Sequence, residues 1–298
     1  MDKNSNSSYC HHPGCRYYLN DDIFYILKLN NIFKPVFCAL TAVVALCLSS
    51  LVFAASPVLD RVVESGVLKV AMSVDQPPFN MRSRDKKVIG FDVDIAQALA
   101  EAMQVMLEIV ETPFADLIAT LTKGDADLVI SGMTITPERT RQVGCEGPFA
   151  LSGKSMLTTA RIKDVVEDVT VFNDPEIRVV ALKNSTSESF VQRNLPEASL
   201  DTIANYDEGV QMLLTGRIDA MVADIPILKL TMLRYPGAGL SMIEPALSVE
   251  PLGIAIPGND EQFQNLVRNY MSTLDKTGLT TRLREKWFED NSWIPLLP

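Results

Sequence analysis

The chain has 298 residues, 47% of them hydrophobic and 21% charged, an ordinary globular composition with room for one large domain or two medium ones. Its formal charge of -10 and pI near 4.8 argue against nucleic acid or an anionic membrane surface as the main partner, because both need clustered Lys and Arg. The partner expected is small, and any anion it carries must be met by local donors.

Residues 36–54 (VFCALTAVVALCLSSLVFA) carry no charge, follow Lys34 and end in small residues. That is the layout of a cleaved secretory signal, with a membrane-spanning helix as the alternative, since about 20 apolar residues can cross a bilayer. The stretch before Lys34 is long for the leading part of a signal, which points to a start codon assigned too far upstream. Setting residues 1–54 aside as extension and signal leaves an exported, periplasmic body. It also removes Cys10, Cys15, Cys38 and Cys47 and leaves Cys145 alone, so no intramolecular disulfide is expected. Four basic and three acidic residues go with the same segment, taking the formal charge from -10 to -11. The CHHPGC cluster has metal-ligand residue types but matches no complete site, so neither a metal nor a cofactor is expected.

Within the body, residues 67–72 (VLKVAM) read as a strand, 92–103 as a helix with acidic residues in its first turn, and 106–110 as a second strand. Phe114 and Ala115 lead into a segment, DLIATLTKGDADLVIS, whose pattern returns as EGVQMLLTGRIDAMVAD. Each copy runs acid, amphipathic helix, Gly, Asp, then an apolar strand ending in a polar residue, Ser131 or Asp224. The Gly suits a left-handed helix terminus and the apolar run a strand buried on both faces. Two widely separated copies of one α-to-β step predict two α/β lobes, each a mostly parallel sheet with flanking helices. Residues 136–138 (TPE) start a helix with Thr at the N-cap and Pro at the first helical position. Further on, 178–182 is a strand, 187–194 and 226–234 are helices, and 251–257 is a strand. Asn259 or Asp260 caps a helix to about Leu274, and Gly278 separates it from a last helix reaching Trp287 and Phe288. No Pro- or Gly-rich linker divides the halves, so extended crossings over 152–160 (SGKSMLTTA) and around 245–251 are expected to join them. The body then divides into residues 55–155 and 248–298 as one lobe and 156–247 as the other.

Ligands of open α/β sheets bind outside the carboxyl ends of strands, where Ser131 and Asp224 both fall. A positive charge in the first turn of the helix after Thr136 opposes the helix dipole at a cost of ~0.3 to 1 kcal/mol. A bound carboxylate would offset that cost, since Arg139 presents a bidentate fork beside the hydroxyl of Thr134 and the backbone at Gly132. Pairing with a nearby surface acid is the simpler alternative for Arg139, and helix capping is the simpler one for Asp224. Together, an arginine on one lobe and an aspartate on the other match the two ends of a free amino acid.

The stretches LKVAMSVDQPPF, IGFDVDIAQALA, DLVISGMTITPER, GRIDAMVADIP and the terminal KWF, spread over residues 60–292, resemble the periplasmic solute-binding proteins of amino-acid ABC importers, bacterial extracellular family 3. The resemblance implies a two-lobed type II periplasmic binding protein fold that closes on its ligand across two hinge crossings, acting as a monomer that delivers an amino acid to a membrane permease. It implies that Arg139, helped by Thr134 and Gly132, grips the α-carboxylate and that Asp224 receives the α-ammonium. Phe114 falls where a ring packs on the ligand, although a core Phe is the plainer reading, and Lys183, Thr186 and Ser187 fall in the second-lobe loop that adds donors. Ser73 and Gln76 stand at the side-chain end of the pocket in place of the Asp and the aromatic ring frequent there. Ser73 leaves no acid at its own position for a cationic side chain, which points away from a Lys or Arg ligand. Cys145 reads as a small buried hydrophobe without a histidine to activate it. A binding protein rather than an enzyme is expected. The rival is an exported dehydratase of prephenate-like acids on the same fold, with Glu146 or Asp75 as its acid. A sensing domain acting through a partner is a third reading.

Overall fold

The computed structural model describes residues 56–159, 162 and 169–297; the proposed signal and the CHHPGC cluster lie outside them. Among the described residues no helix is long and apolar enough to cross a membrane, and no cluster of His, Cys, Asp or Glu could hold a metal.

The first half of the body runs α1 (Pro57–Ser65), β1 (Val67–Met72), β2 (Asp75–Gln76), β3 (Asn80–Arg82), β4 (Val88–Ile89), α2 (Phe91–Met103), β5 (Met106–Glu111), α3 (Leu117–Lys123), β6 (Leu128–Val129), α4 (Pro137–Thr140) and β7 (Gly144–Thr159). The second half runs β8 (Arg178–Leu182), α5 (Thr186–Asn194), β9 (Ser199–Ile203), α6 (Tyr206–Leu214), β10 (Ala220–Asp224), α7 (Ile225–Arg234) and β11 (Leu240–Met242). The chain then returns through β12 (Ser248–Ile256), α8 (Glu261–Lys276) and α9 (Leu279–Arg284).

Among the described residues, nine strands form one continuous sheet in the order β5-β1-β6-β12-β7-β10-β8-β9, with β11 also paired to β7. The strands β5, β1 and β6 are parallel, as are β10, β8 and β9, while β7 and β12 run antiparallel to each other between the two groups. The chain therefore passes between the halves along β7 and β12. Both crossings are longer than expected: β7 begins at Gly144 and takes in residues 144–151, and the crossing and strand expected over 245–257 form a single strand, β12. The apolar runs 70–72 of β1, 128–129 of β6 and 220–223 of β10 are fully buried, as strands covered on both faces should be.

The repeated step is reproduced in three dimensions. Gly124 and Gly216 follow their helices with φ of 81° and 67°, values that glycine adopts without the Cβ clash of other residues. Asp127 then donates its N–H to the Lys69 carbonyl at 2.8 Å while its carboxylate accepts the Lys69 N–H at 2.7 Å; Asp219 donates likewise to the Arg178 carbonyl at 2.9 Å, its carboxylate accepting the Arg178 N–H at 2.9 Å. In both copies the aspartate fastens the strand that follows to the first turn of its neighbour. Outside the main sheet, β2, β3 and β4 form a small antiparallel sheet that the periodicity does not reveal, because none of its strands exceeds three residues.

Candidate functional site

Thr136 caps α4, its hydroxyl accepting the Arg139 N–H at 3.2 Å, with Pro137 at the first helical position as expected. The guanidinium of Arg139 donates to the Thr134 carbonyl at 2.8 Å and, across the cleft, to the Asn184 carbonyl at 3.2 Å; it lies over the Phe114 ring at 5.6 Å. Phe114 is buried and lines one side of the group, so it is both a core ring and a wall of the site. Burial lowers the Arg139 pKa, and the nearby charges of Glu250 and Asp224 are among those working against that shift. Among the described residues no carboxylate reaches ion-pairing distance of Arg139, so the simple surface pair is not what the fold builds.

Asp224 ends the buried strand β10 and precedes α7, yet its side chain makes no capping bond. It pairs instead with Lys154, directly opposite on β7, at 3.2 Å, and Lys154 reaches Glu250 of β12 at 3.7 Å. All three are buried, with exposures of 1% for Lys154, 5% for Asp224 and 7% for Glu250. Burial raises the Asp224 pKa, and Lys154 opposes it. Burial also works against charge on Glu250, but Lys154 and the hydroxyls of Ser248, Thr134 and Thr186 outweigh it and hold Glu250 below the usual carboxylate range. Arg139 and Asp224 each feel the other's charge, so the fold brings together the two residues on which the amino-acid reading rests.

The remaining expected residues fall into two groups. Ser73, Gln76 and Ser131 form a hydrogen-bonded cluster with Asn80: Gln76 donates to the Ser73 hydroxyl at 2.7 Å, the Ser73 N–H to the Ser131 hydroxyl at 3.1 Å, and the Ser73 hydroxyl to Asn80 at 3.2 Å. Gly132 departs from expectation, because its N–H is held by the buried carboxylate of Asp92 at 2.8 Å and is not free to meet a ligand. Asp92 also accepts from Asn80 at 2.8 Å, and burial, partly opposed by these bonds, raises its pKa to about 6. It serves as an anchor for the loop after β6 as well as a residue of a helix's first turn.

In the second half, Thr186 faces Thr134 across the cleft, their hydroxyls 3.3 Å apart, and Ser187 is fully buried with an unpartnered hydroxyl. Lys183 differs from expectation: its N–H donates to Ile203 at 3.0 Å and its side chain is exposed, so it offers the site neither donor in this arrangement. Ser185, not Thr186 or Ser187, caps α5. A groove of about 650 Å³ opens beside Arg139, lined among others by Phe114, Asn184 and Thr186.

Sequence reasoning passed over Lys154 and Glu250. Glu250 is the lone charge of β12 and Lys154 the lone charge of the crossing expected over 152–160, which was the available signal, but only β7 and β12 running side by side join them. The two acids considered for an enzyme separate clearly. Glu146 accepts from Nε and Nη2 of Arg268, at 2.9 and 2.5 Å, in a different groove. Asp75 has a buried, unpartnered Oδ1, and burial raises its pKa to about 6. Cys145 is a free, half-buried thiol whose pKa burial raises, which keeps it protonated and unreactive.

A sheet in two parallel groups, joined by two antiparallel crossings and bearing opposite charges on either side of the cleft, is the architecture of a two-lobed, type II periplasmic binding protein. The chain belongs to the bacterial extracellular solute-binding proteins, family 3, whose sequence profile matches residues 68–290. It is similar to the L-arginine-binding protein of Pseudomonas aeruginosa, 30% identical with 74% of this chain and 87% of that protein covered. It is also similar to the cyclohexadienyl dehydratase of the same organism, 28% identical with coverage of 83% and 92%. Among solved structures, the ancestral amino acid-binding protein AncCDT-1, a precursor of cyclohexadienyl dehydratase, matches with a TM-score of 0.72 at 34% identity, covering 77% of this chain and 99% of that one. The putative binding component of an ABC transporter from Wolinella succinogenes, complexed with lysine, matches with a TM-score of 0.73 at 32% identity, covering 77% and 98%.

Proposed function

We propose that the protein binds a free amino acid outside the cytoplasm and delivers it to an ABC-type permease. The observation that carries this reading is the charge arrangement of the cleft. Among the described residues Arg139 has no carboxylate partner, and one ammonium, Lys154, serves two carboxylates, Asp224 and Glu250. The four groups balance as they stand. A zwitterion adds a carboxylate where positive charge is unpaired and an ammonium where negative charge is in excess, leaving the buried cluster neutral; an ion of one sign alone would leave an uncompensated charge in a poorly solvated place. The unpartnered Ser187 hydroxyl supplies a further donor for the carboxylate.

The ligand docks through Arg139, and closure about β7 near residues 152–155 and β12 near 248–251 brings Asp224 and the loop at 184–187 onto it, excluding water and strengthening each charged contact. Charge-assisted hydrogen bonds contribute about 1.5 to 3 kcal/mol each, so several give an affinity on the order of micromolar or tighter. The closed form is the one the permease recognises. In calorimetry, Arg139→Ala should abolish amino-acid binding while the unfolding midpoint stays near that of the parent protein; undiminished binding would remove the assignment.

A second reading, dehydration of a cyclic prephenate-like acid, is favoured by the similarity to cyclohexadienyl dehydratase and by Asp75, a half-buried carboxyl whose pKa burial raises to about 6. Against it, a ligand with two carboxylates would bring its second negative charge towards Asp224 and Glu250. Incubation with prephenate and an absorbance readout separates the two: no turnover is expected, and turnover lost in Asp75→Asn would establish the enzyme.

A further inference from the structure

We propose that the groove bounded by β7, α8 and α9, outside the cleft, is a second binding site, and that it takes a small monocarboxylic acid with an apolar body. The groove has a volume of about 660 Å³ and shares no lining residue with the one beside Arg139. Two of the residues that line it, Thr280 and Arg284, carry buried polar atoms, the Thr280 hydroxyl and the Arg284 Nε, that have no hydrogen-bond partner among the described residues. They stand four residues apart on α9, which puts both side chains on one face of that helix, and Thr280 is only 1% exposed. One arm of the Arg284 fork, Nη2, donates to the Phe149 carbonyl at 2.9 Å. Among the described residues no carboxylate pairs with its charge.

A buried donor left without an acceptor costs the folded chain free energy, and an acceptor brought by a ligand recovers it. Two donors on one helix face, one of them on a guanidinium, match the two oxygens of a carboxylate. The neighbouring charges restrict the ligand to a single negative charge. Arg268 and Glu146 neutralise one another at 2.5 Å, and Asp275 stands exposed at the groove. A dianion would set its second charge near Glu146 and Asp275, with no further unpaired cation among the lining residues to meet it. Much of the remaining wall is apolar: Phe149 and Met271 are buried, and Leu151 keeps 71% of its surface exposed. An aryl or branched alkyl body would cover Leu151, and an aromatic one would gain ring and thioether contacts from Phe149 and Met271. Arg268, Met271 and Asp275 recur at spacings of three and four on one face of α8, which packs on both β7 and α9. The site is independent of the amino-acid reading, since none of Arg139, Lys154, Asp224 and Glu250 lines it.

The test is calorimetric titration with 3-phenylpropionate on the parent protein, on Arg284→Met and on Thr280→Val. The alcohol 3-phenylpropan-1-ol serves as the uncharged counterpart, and inorganic phosphate as the anion without an apolar body. The parent protein should bind the acid with a Kd of about 1 mM or tighter, and about tenfold or more tightly than either control. Arg284→Met should weaken binding of the acid by about tenfold or more, and Thr280→Val by about threefold. Thr280→Val removes an unpartnered hydroxyl and keeps the shape of the side chain, so its unfolding midpoint should hold or rise. It decides the matter alone should Arg284→Met, which also loses the bond to Phe149, fail to fold. No binding by the parent protein, binding of the alcohol or of phosphate as tight as that of the acid, or unchanged affinity in either folded variant overturns the proposal. So does binding kept in Arg284→Met and lost in Arg139→Ala, which would place the acid in the cleft. Each of these outcomes leaves the amino-acid reading standing.

Discussion

Lys154 shows how much of this site depends on one ammonium. It lies at the centre of the sheet, opposite Asp224 in register, and compensates two carboxylates that burial would otherwise drive towards protonation. A methionine there would fill much of the same volume but leave both acids unpaired, and breaking a buried pair in this way costs about 3 to 5 kcal/mol. Lys154→Met should therefore lower the free energy of unfolding in urea by roughly that amount at neutral pH. The sign of the pH dependence follows. Without the ammonium the folded-state pKa of Asp224 rises further above its unfolded value, so the folded variant binds more protons than the unfolded chain over the window between those two values. Its deficit should shrink as pH falls through that window and be fully present above the raised pKa. Equal stability of variant and parent at neutral pH would mean that Lys154 is not the group compensating these acids.

At the level of elements, the cleft depends on how α2 is seated. Gly90 precedes that helix at φ of 142°, and a Cβ there would lie 2.2 Å from the Phe79 carbonyl oxygen, a backbone atom that no rotamer change can move. Gly90→Ala should destabilise the protein by about 3 kcal/mol or more, from strain and steric overlap together. Because the same contact positions Asn80 and Asp92, the variant should also lose ligand affinity. A fully stable Gly90→Ala with intact binding would show that the junction yields more easily than its geometry implies. The elements carrying α2, α3, β10 and the Thr136 cap were legible in the sequence, since each has a period, a helix terminus or a capping residue that acts over a few positions. The antiparallel β2–β4 sheet and the full length of β7 were not. The strands of the first are too short to show alternation, and the start of the second, GCEGPFAL, is punctuated by glycine and proline. For the same reason Arg139 and Asp224 could be named in advance while Lys154 and Glu250 could not. The first two stand at strand and helix ends, where local rules apply; the last two acquire meaning only from the pairing of strands distant in the chain.

At the scale of the whole molecule, a two-lobed protein could unfold lobe by lobe, and its contacts argue against that. The sheet is continuous through β12 and β7, and one apolar core takes in Leu128, Val129 and Phe263 of the first half together with Leu182, Tyr206 and Met221 of the second. Hydrogen bonds also span the cleft, from Arg139 to the Asn184 carbonyl and from the Asn184 side chain to the Ala115 carbonyl at 3.2 Å. A core and a sheet shared in this way couple the halves, so calorimetric unfolding should show one transition whose calorimetric and van't Hoff enthalpies agree. A ligand held by both halves then stabilises the entire unit. At a free concentration of about 100 times its Kd it should add about 2.7 kcal/mol to the free energy of unfolding, shifting the single transition without splitting it. Two resolved transitions, with only one moved by ligand, would mean that the halves fold independently and that binding is the property of one of them, an outcome incompatible with a site assembled from Arg139 on one side and Asp224 on the other.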